Sequence, residues 1–101
     1  MMFDVVFSPE AEAQLVALYF HIAEAASPEI AGKYTEDIVN ECESLRTLPL
    51  RGTRRDNIRP GLRTFGFRRR VTIAFTVSDD VVTILGIFYG GRDLEKIFEE
   101  E

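Results

Sequence analysis

The chain has 101 residues, 46% of them hydrophobic, which suits a single domain over residues 1–101 with one core and little to spare. Its one cysteine excludes an internal disulfide framework, its one histidine excludes a histidine-rich metal cluster, and no apolar run is long enough to span a bilayer. The net charge of −5 conceals a division: residues 51–70 carry eight arginines against Asp56 alone, a local +7 that leaves −12 for everything else.

In chain order, Phe3 to Phe7 reads as a short strand. Ser8-Pro9-Glu10 has the marks of a helix start: a hydroxyl for the N-cap, a proline where its missing N–H does no harm, and an acid at the positive end. Leu15, Leu18, Ile22 and Ala25 or Ala26 recur at helical spacing as the inward stripe. Ser27-Pro28-Glu29 repeats the signal and predicts a second helix to about Leu48, with Ile30, Tyr34, Ile38, Cys42 or Leu45, and Leu48 facing inward. So short a connection makes the two an antiparallel helical hairpin. Pro49 closes it, and Leu50 to Gly61 reads as an arginine-rich loop.

Leu62 to Phe67 is the next strand, reversing through Arg68, Arg69 and Arg70. From Val71 to Val77 the odd positions are large and apolar and the even ones small or polar, the period of a strand with one packed face. Asp79-Asp80 breaks the chain, and Val81 to Tyr89 is almost unbroken apolar sequence, as in an interior strand covered on both faces. These two strands form an antiparallel hairpin, with Ile73, Phe75, Ile84 and Ile87 expected in the core. Gly90-Gly91 is a turn, and Asp93 caps a short helix that carries Leu94, Ile97 and Phe98 on one side. The order is β-α-α-β-β-β-α.

Candidate chemistry is sparse. His21 between Phe20 and Ile22 is read as a helix residue, and Cys42 between Glu41 and Glu43 as inert, because neighbouring carboxylates raise a thiol pKa. Ser8 and Ser27 are caps rather than nucleophiles, and no pair of acids forms an acid/base dyad. No metal or cofactor is expected. The arginine cluster is either solvated and paired with acidic helix faces or a docking surface for something anionic. An acidic chain favours a protein partner over nucleic acid there, since its remaining charge opposes the approach of phosphates. With no basic start leading into an apolar run, the chain is expected in the cytoplasm.

Phe7-Ser8-Pro9-Glu10-Ala11, Leu48-Pro49 with a glycine soon after, Gly61-Leu62-Arg63, Arg69, the Ile73-to-Val77 strand, Val82-Thr83-Ile84-Leu85 and Gly91-Arg92-Asp93 resemble the pattern of the RelE/ParE superfamily of type II toxin–antitoxin toxins. The resemblance covers nearly the whole chain in order. It implies an α+β fold in which a small antiparallel sheet packs against the helical hairpin, and neutralisation by an antitoxin segment that wraps the toxin. One branch of the superfamily cleaves mRNA on the ribosome; the ParE branch poisons DNA gyrase.

In the ribosome-dependent nucleases, the resemblance implies two arginines that steer the phosphate and a tyrosine that assists. Arg92 matches the second arginine, but the first position is Thr72 and the tyrosine position is Phe98. Threonine brings no cation and phenylalanine no hydroxyl, which disfavours nuclease chemistry. The expectation is therefore a ParE-like toxin that binds DNA gyrase rather than an enzyme, with a RelE-like mRNA interferase or a non-toxic binding module as alternatives. Arg63, Arg69, Arg70 and Arg92 are the expected target-binding residues, and Arg51, Arg54, Arg55 and Arg59 the expected contacts of the antitoxin.

Overall fold

Two serines set the helices. In the computed structural model, which describes residues 2–90 and 94–99, Ser8 and Ser27 are extended N-caps whose hydroxyls accept from Ala11 N and Ile30 N, both at 3.1 Å. Helix α1 spans Pro9–Ala25 and α2 spans Pro28–Glu43, each with proline in its first turn. The second helix is shorter than its sequence pattern predicts. At Ser44 the hydroxyl donates to Glu41 O at 2.6 Å and the chain tightens into a single 3₁₀ turn, Ser44–Arg46. That turn swings Leu45 into the core and leaves Leu48 60% exposed. The inward stripe also starts one residue later than expected: Ala31 is buried and Ile30 faces solvent.

A five-stranded sheet covers the inner face of the hairpin, in the order β1-β5-β4-β3-β2. Its strands are β1 (Asp4–Phe7), β2 (Thr53–Arg54), β3 (Arg63–Phe67), β4 (Val71–Ser78) and β5 (Val81–Tyr89). The pairings of β2 with β3, β3 with β4 and β4 with β5 are antiparallel, while β1 joins β5 in parallel. Strand β2 lies inside the stretch expected to be a plain loop. Gly52, at φ 87°, makes it possible, because a Cβ there would run into Thr64 O. The rest of the loop closes on itself, with Arg59 N donating to Arg55 O and Gly61 N to Asp56 Oδ1.

The interior strand β5 carries a bulge. Ala74 pairs with Gly86 and Phe75 with Ile84, so Leu85 has no partner across the ladder. One extra residue reverses the alternation: Val82 and Ile84 face the helices before the bulge, Ile87 and Tyr89 after it. Leu85 and Phe88 face the other way, into a smaller core with Leu62, Ala74 and Ile58. Helix α3, Leu94–Glu99, closes that core with Leu94, Ile97 and Phe98. Hence the unbroken apolar run of β5: both faces are covered, as expected, by different elements. Ile73, Phe75, Ile84 and Ile87 are all buried. Asp93, the expected cap of α3, lies outside the described residues.

Ser8 has a second task. Its N–H donates to Ile84 O at 2.9 Å and its hydroxyl donates to Leu85 O at 3.2 Å, so the cap of α1 also satisfies the carbonyl of the bulged residue. Among the described residues the Ser27 hydroxyl makes only its capping bond, to Ile30 N. Ser8→Ala should therefore lower stability by about 2 kcal/mol and Ser27→Ala by about 1 kcal/mol, a difference readable in urea melts. Phe98 meets Phe88 edge-on, with ring centroids 6.1 Å apart. Phe98→Ala should cost about 2 kcal/mol in the same assay, less than for a fully buried ring.

Candidate functional site

The fold divides the arginines of residues 51–70 into two groups. On the β2 side, Arg51 lies over the Phe65 ring at 4.3 Å and donates to Ser44 Oγ at 2.9 Å and to Glu41 Oε2 at 3.2 Å. Arg54 pairs with Asp56 at 2.7 Å, and Arg55 Nε donates to the buried Thr64 Oγ1 at 3.1 Å. Arg63 donates to Leu50 O at 2.8 Å, and Arg59 stands over Phe98 at 5.9 Å. The Gly61 N–H, with Arg54, holds the Asp56 carboxyl below its usual range. These arginines staple the loop to α2, to β3 and to itself, so much of the local +7 is met by neighbouring acceptors.

The second group sits at the tip between β3 and β4. Arg68 pairs with Asp37 on α2 at 2.6 Å and lies over the rings of Phe67 and Tyr34, at 4.8 and 5.3 Å. Lys33 binds the same carboxylate at 2.7 Å, and Lys33 with Arg68 holds Asp37 below the usual carboxylate range. The side chains of Arg69 and Arg70 are exposed and make no hydrogen bond or ion pair with any described residue. Arg63, expected to work with them, lies at the far end of β3, about 13 Å of extended strand from Phe67, where the turn begins. Arg92 lies outside the described residues.

The turn itself is unusual. Arg70 N donates to Phe67 O at 3.2 Å, and the two residues between, Arg68 and Arg69, have φ of 49° and 61°. Positive φ at both central positions is the geometry that glycine and asparagine adopt readily; for other residues it costs on the order of 1 kcal/mol each. The β5 end is tied to this tip by Gly90 N donating to Arg70 O at 2.7 Å. Beside it, the His21 and Tyr89 rings meet at 5.3 Å.

A second surface was not anticipated from the helical stripes. On the outer face of the hairpin, Leu15, Val16 and Tyr19 of α1 face Gly32, Thr35, Glu36 and Val39 of α2 across a groove of about 330 Å³. Val16 within it is 55% exposed, and Phe20, whose ring meets Tyr19 of the lining at 5.3 Å, is 63% exposed. The available signal was two large apolar residues four apart, Val16 and Phe20, lying off the inward stripe. Cys42 is buried beneath α2, and burial, with Glu43 and Glu41, pushes its thiol up to about 12, so it is unreactive near neutral pH. Among the described residues, no helix is long and apolar enough to cross a membrane.

The family model described as "ParE toxin of type II toxin-antitoxin system, parDE" matches residues 5–94. A solved structure described as "Chromosomal ParDE TA system from P. aeruginosa" contains a chain similar to this one, with a TM-score of 0.78 and 30% identity over 89% of this chain and 98% of that chain. A search of curated proteins returned no match. Match, strand order and helical hairpin agree, and the chain belongs to the ParE toxin family of type II toxin–antitoxin systems.

Proposed function

We propose that this chain is the toxin of its module, that it inhibits DNA gyrase in the cytoplasm by binding, and that a cognate antitoxin neutralises it. The observation that carries the binding reading is the turn at Arg68–Arg70. Arg68 and Arg69 hold a backbone conformation that does not suit them, and the exposed guanidiniums of Arg69 and Arg70 make no hydrogen bond or ion pair with any described residue. Strain of this kind is concentrated where a surface is kept for contact rather than for stability. The nuclease alternative has less support: Thr72 lacks a charge, and Phe98 is engaged with Phe88 in the second core.

For the antitoxin, the outer groove of the hairpin is the better seat. An amphipathic helix can bury the exposed Val16 and Phe20 there, whereas Arg51 and Arg55 are already bound to Glu41, Ser44 and Thr64. The exposed Arg54 and Arg59 then supply charge that steers an acidic antitoxin without forming the centre of the interface.

Three measurements test this reading. Arg69→Ala combined with Arg70→Ala should abolish inhibition of gyrase supercoiling while changing stability by less than about 1 kcal/mol. Absence of inhibition by the unaltered protein would remove gyrase as the target. Arg69→Gly should raise stability by about 0.5–1 kcal/mol, since it relieves the positive φ, and should weaken inhibition at the same time. Phe20→Glu should lower antitoxin affinity at least tenfold, equivalent to about 1.4 kcal/mol, whereas Arg54→Glu should mainly slow association and flatten its dependence on salt. An affinity unchanged by Phe20→Glu would move the interface off the outer groove.

A further inference from the structure

We infer that the antitoxin segment seated in the outer groove is an amphipathic helix whose apolar side chains are flanked by lysines or arginines, opposite in sign to the acidic part that Arg54 and Arg59 steer. This rests on the groove being the antitoxin's seat and adds the chemistry of what fills it. Residues 8–43, the helical hairpin with its caps, hold eight acids and Lys33 alone, a local −7 that mirrors the +7 of residues 51–70. Lys33 is already bound to Asp37 at 2.7 Å. Asp37, Glu41 and Glu43 also have cations in Arg68, Arg51 and Arg46, whereas Glu12, Glu24 and Glu36 make no ion pair with any described residue.

Those three acids frame the apolar surface. Glu12, Val16, Phe20 and Glu24 are exposed and four residues apart, so they follow one another along a single ridge of α1, two apolar side chains with an acid beyond each end. Glu36 lines the groove itself, on the wall formed by α2. Glu24 stands in the last turn of α1, where the helix dipole already presents negative charge and no basic residue offsets it; a cation of the partner relieves both. At Gly32 a Cβ would meet nothing within 4 Å, which leaves open space in the groove for an apolar side chain of the partner. A second copy of this chain is the poorer occupant, since it would set one −7 face against another, and a helix with acidic flanks meets the same repulsion. The antitoxin therefore changes sign along its course, basic where it lies on the hairpin and acidic where it passes the arginines of the β2 loop.

Two synthetic peptides of about 15 residues, sharing one stripe of leucine and phenylalanine and differing only in lysine or glutamate at the flanking positions, supply the experiment on the whole chain. At low salt the lysine peptide should bind at least about tenfold more tightly than the glutamate peptide, and the difference should shrink as salt is raised. Glu12→Lys combined with Glu36→Lys should reverse the order. Gly32→Leu should weaken both peptides about tenfold by filling the open space, while the variant melts at or above the temperature of the unaltered protein, because leucine is the better helix former. No saturable binding of the lysine peptide, a glutamate peptide that binds as tightly, or an order that Glu12→Lys with Glu36→Lys leaves unchanged would each overturn the inference. Cognate antitoxin that binds more tightly to the Glu12→Lys and Glu36→Lys variant but less tightly to Gly32→Leu would overturn it and keep the groove as the seat. Antitoxin binding indifferent to all three substitutions would remove the seat, and the inference with it.

Discussion

The fold depends on how α1 is joined to β5, and Ser8 is the joint. A bulge in β5 leaves Leu85 outside the ladder, and a buried carbonyl without a partner is expensive. The Ser8 hydroxyl takes up that carbonyl while capping its own helix. One turn later, the Gln14 side chain accepts from Ile87 N at 2.7 Å, so α1 also covers the edge of β5 beyond the end of β1. With α1 held in this register, α2 follows through the short connection, and Asp37 and Tyr34 come to stand beside the arginine tip. The bulge in turn divides β5 between two cores, which is why a six-residue α3 can bury Phe88 on the far face.

The arginines show how little a cluster in sequence says about a cluster on a surface. Eight of them occur within twenty residues, yet Arg63 starts β3 while Arg68, Arg69 and Arg70 lie in the turn beyond its other end. Arg51 and Arg68 are matched devices at those two ends. Each crosses from the sheet to an acid on α2, Glu41 or Asp37, and each covers an aromatic ring on β3, Phe65 or Phe67. Exposed ion pairs alone contribute little, but a guanidinium that also shields a ring stabilises through its apolar contact. The turn leaves Arg69 and Arg70 exposed, with Arg68 and Arg69 in an unfavourable backbone conformation.

The same separation sets the exposed surfaces apart from the core. The hydrophobic core lies between the hairpin and the sheet, and the tip, the outer groove and the β2 loop all lie outside it. Function on such surfaces is open to charge reversal or truncation without a cavity being created, whereas substitutions at Ser8, Gly86 or Phe98 act through packing. At Gly86 of β5 a methyl group would collide with the Phe88 ring, so a larger residue there has to displace a buried aromatic side chain.

Local chemistry in the sequence determined the two Ser-Pro-Glu helix starts, the hairpin of helices, the alternation of Val71 to Val77 and the two-faced burial of Val81 to Tyr89. Capping and side-chain periodicity act within a few residues, so they are written in the order of the chain. Family membership, too, was legible in the order of short motifs from Phe7 to Asp93. The end of α2 was not, because Ser44 chose between solvent and the Glu41 carbonyl only once Leu45 had a core to enter. Nor was β2, which exists because β3 presents an edge and Gly52 can pass Thr64. The partners of Arg51, Arg55, Arg63 and Arg68 lie 7 to 31 residues away along the chain. No local pattern encodes such distances; only the packing of α2 against β3 decided which arginines were consumed in holding the fold and which were left exposed.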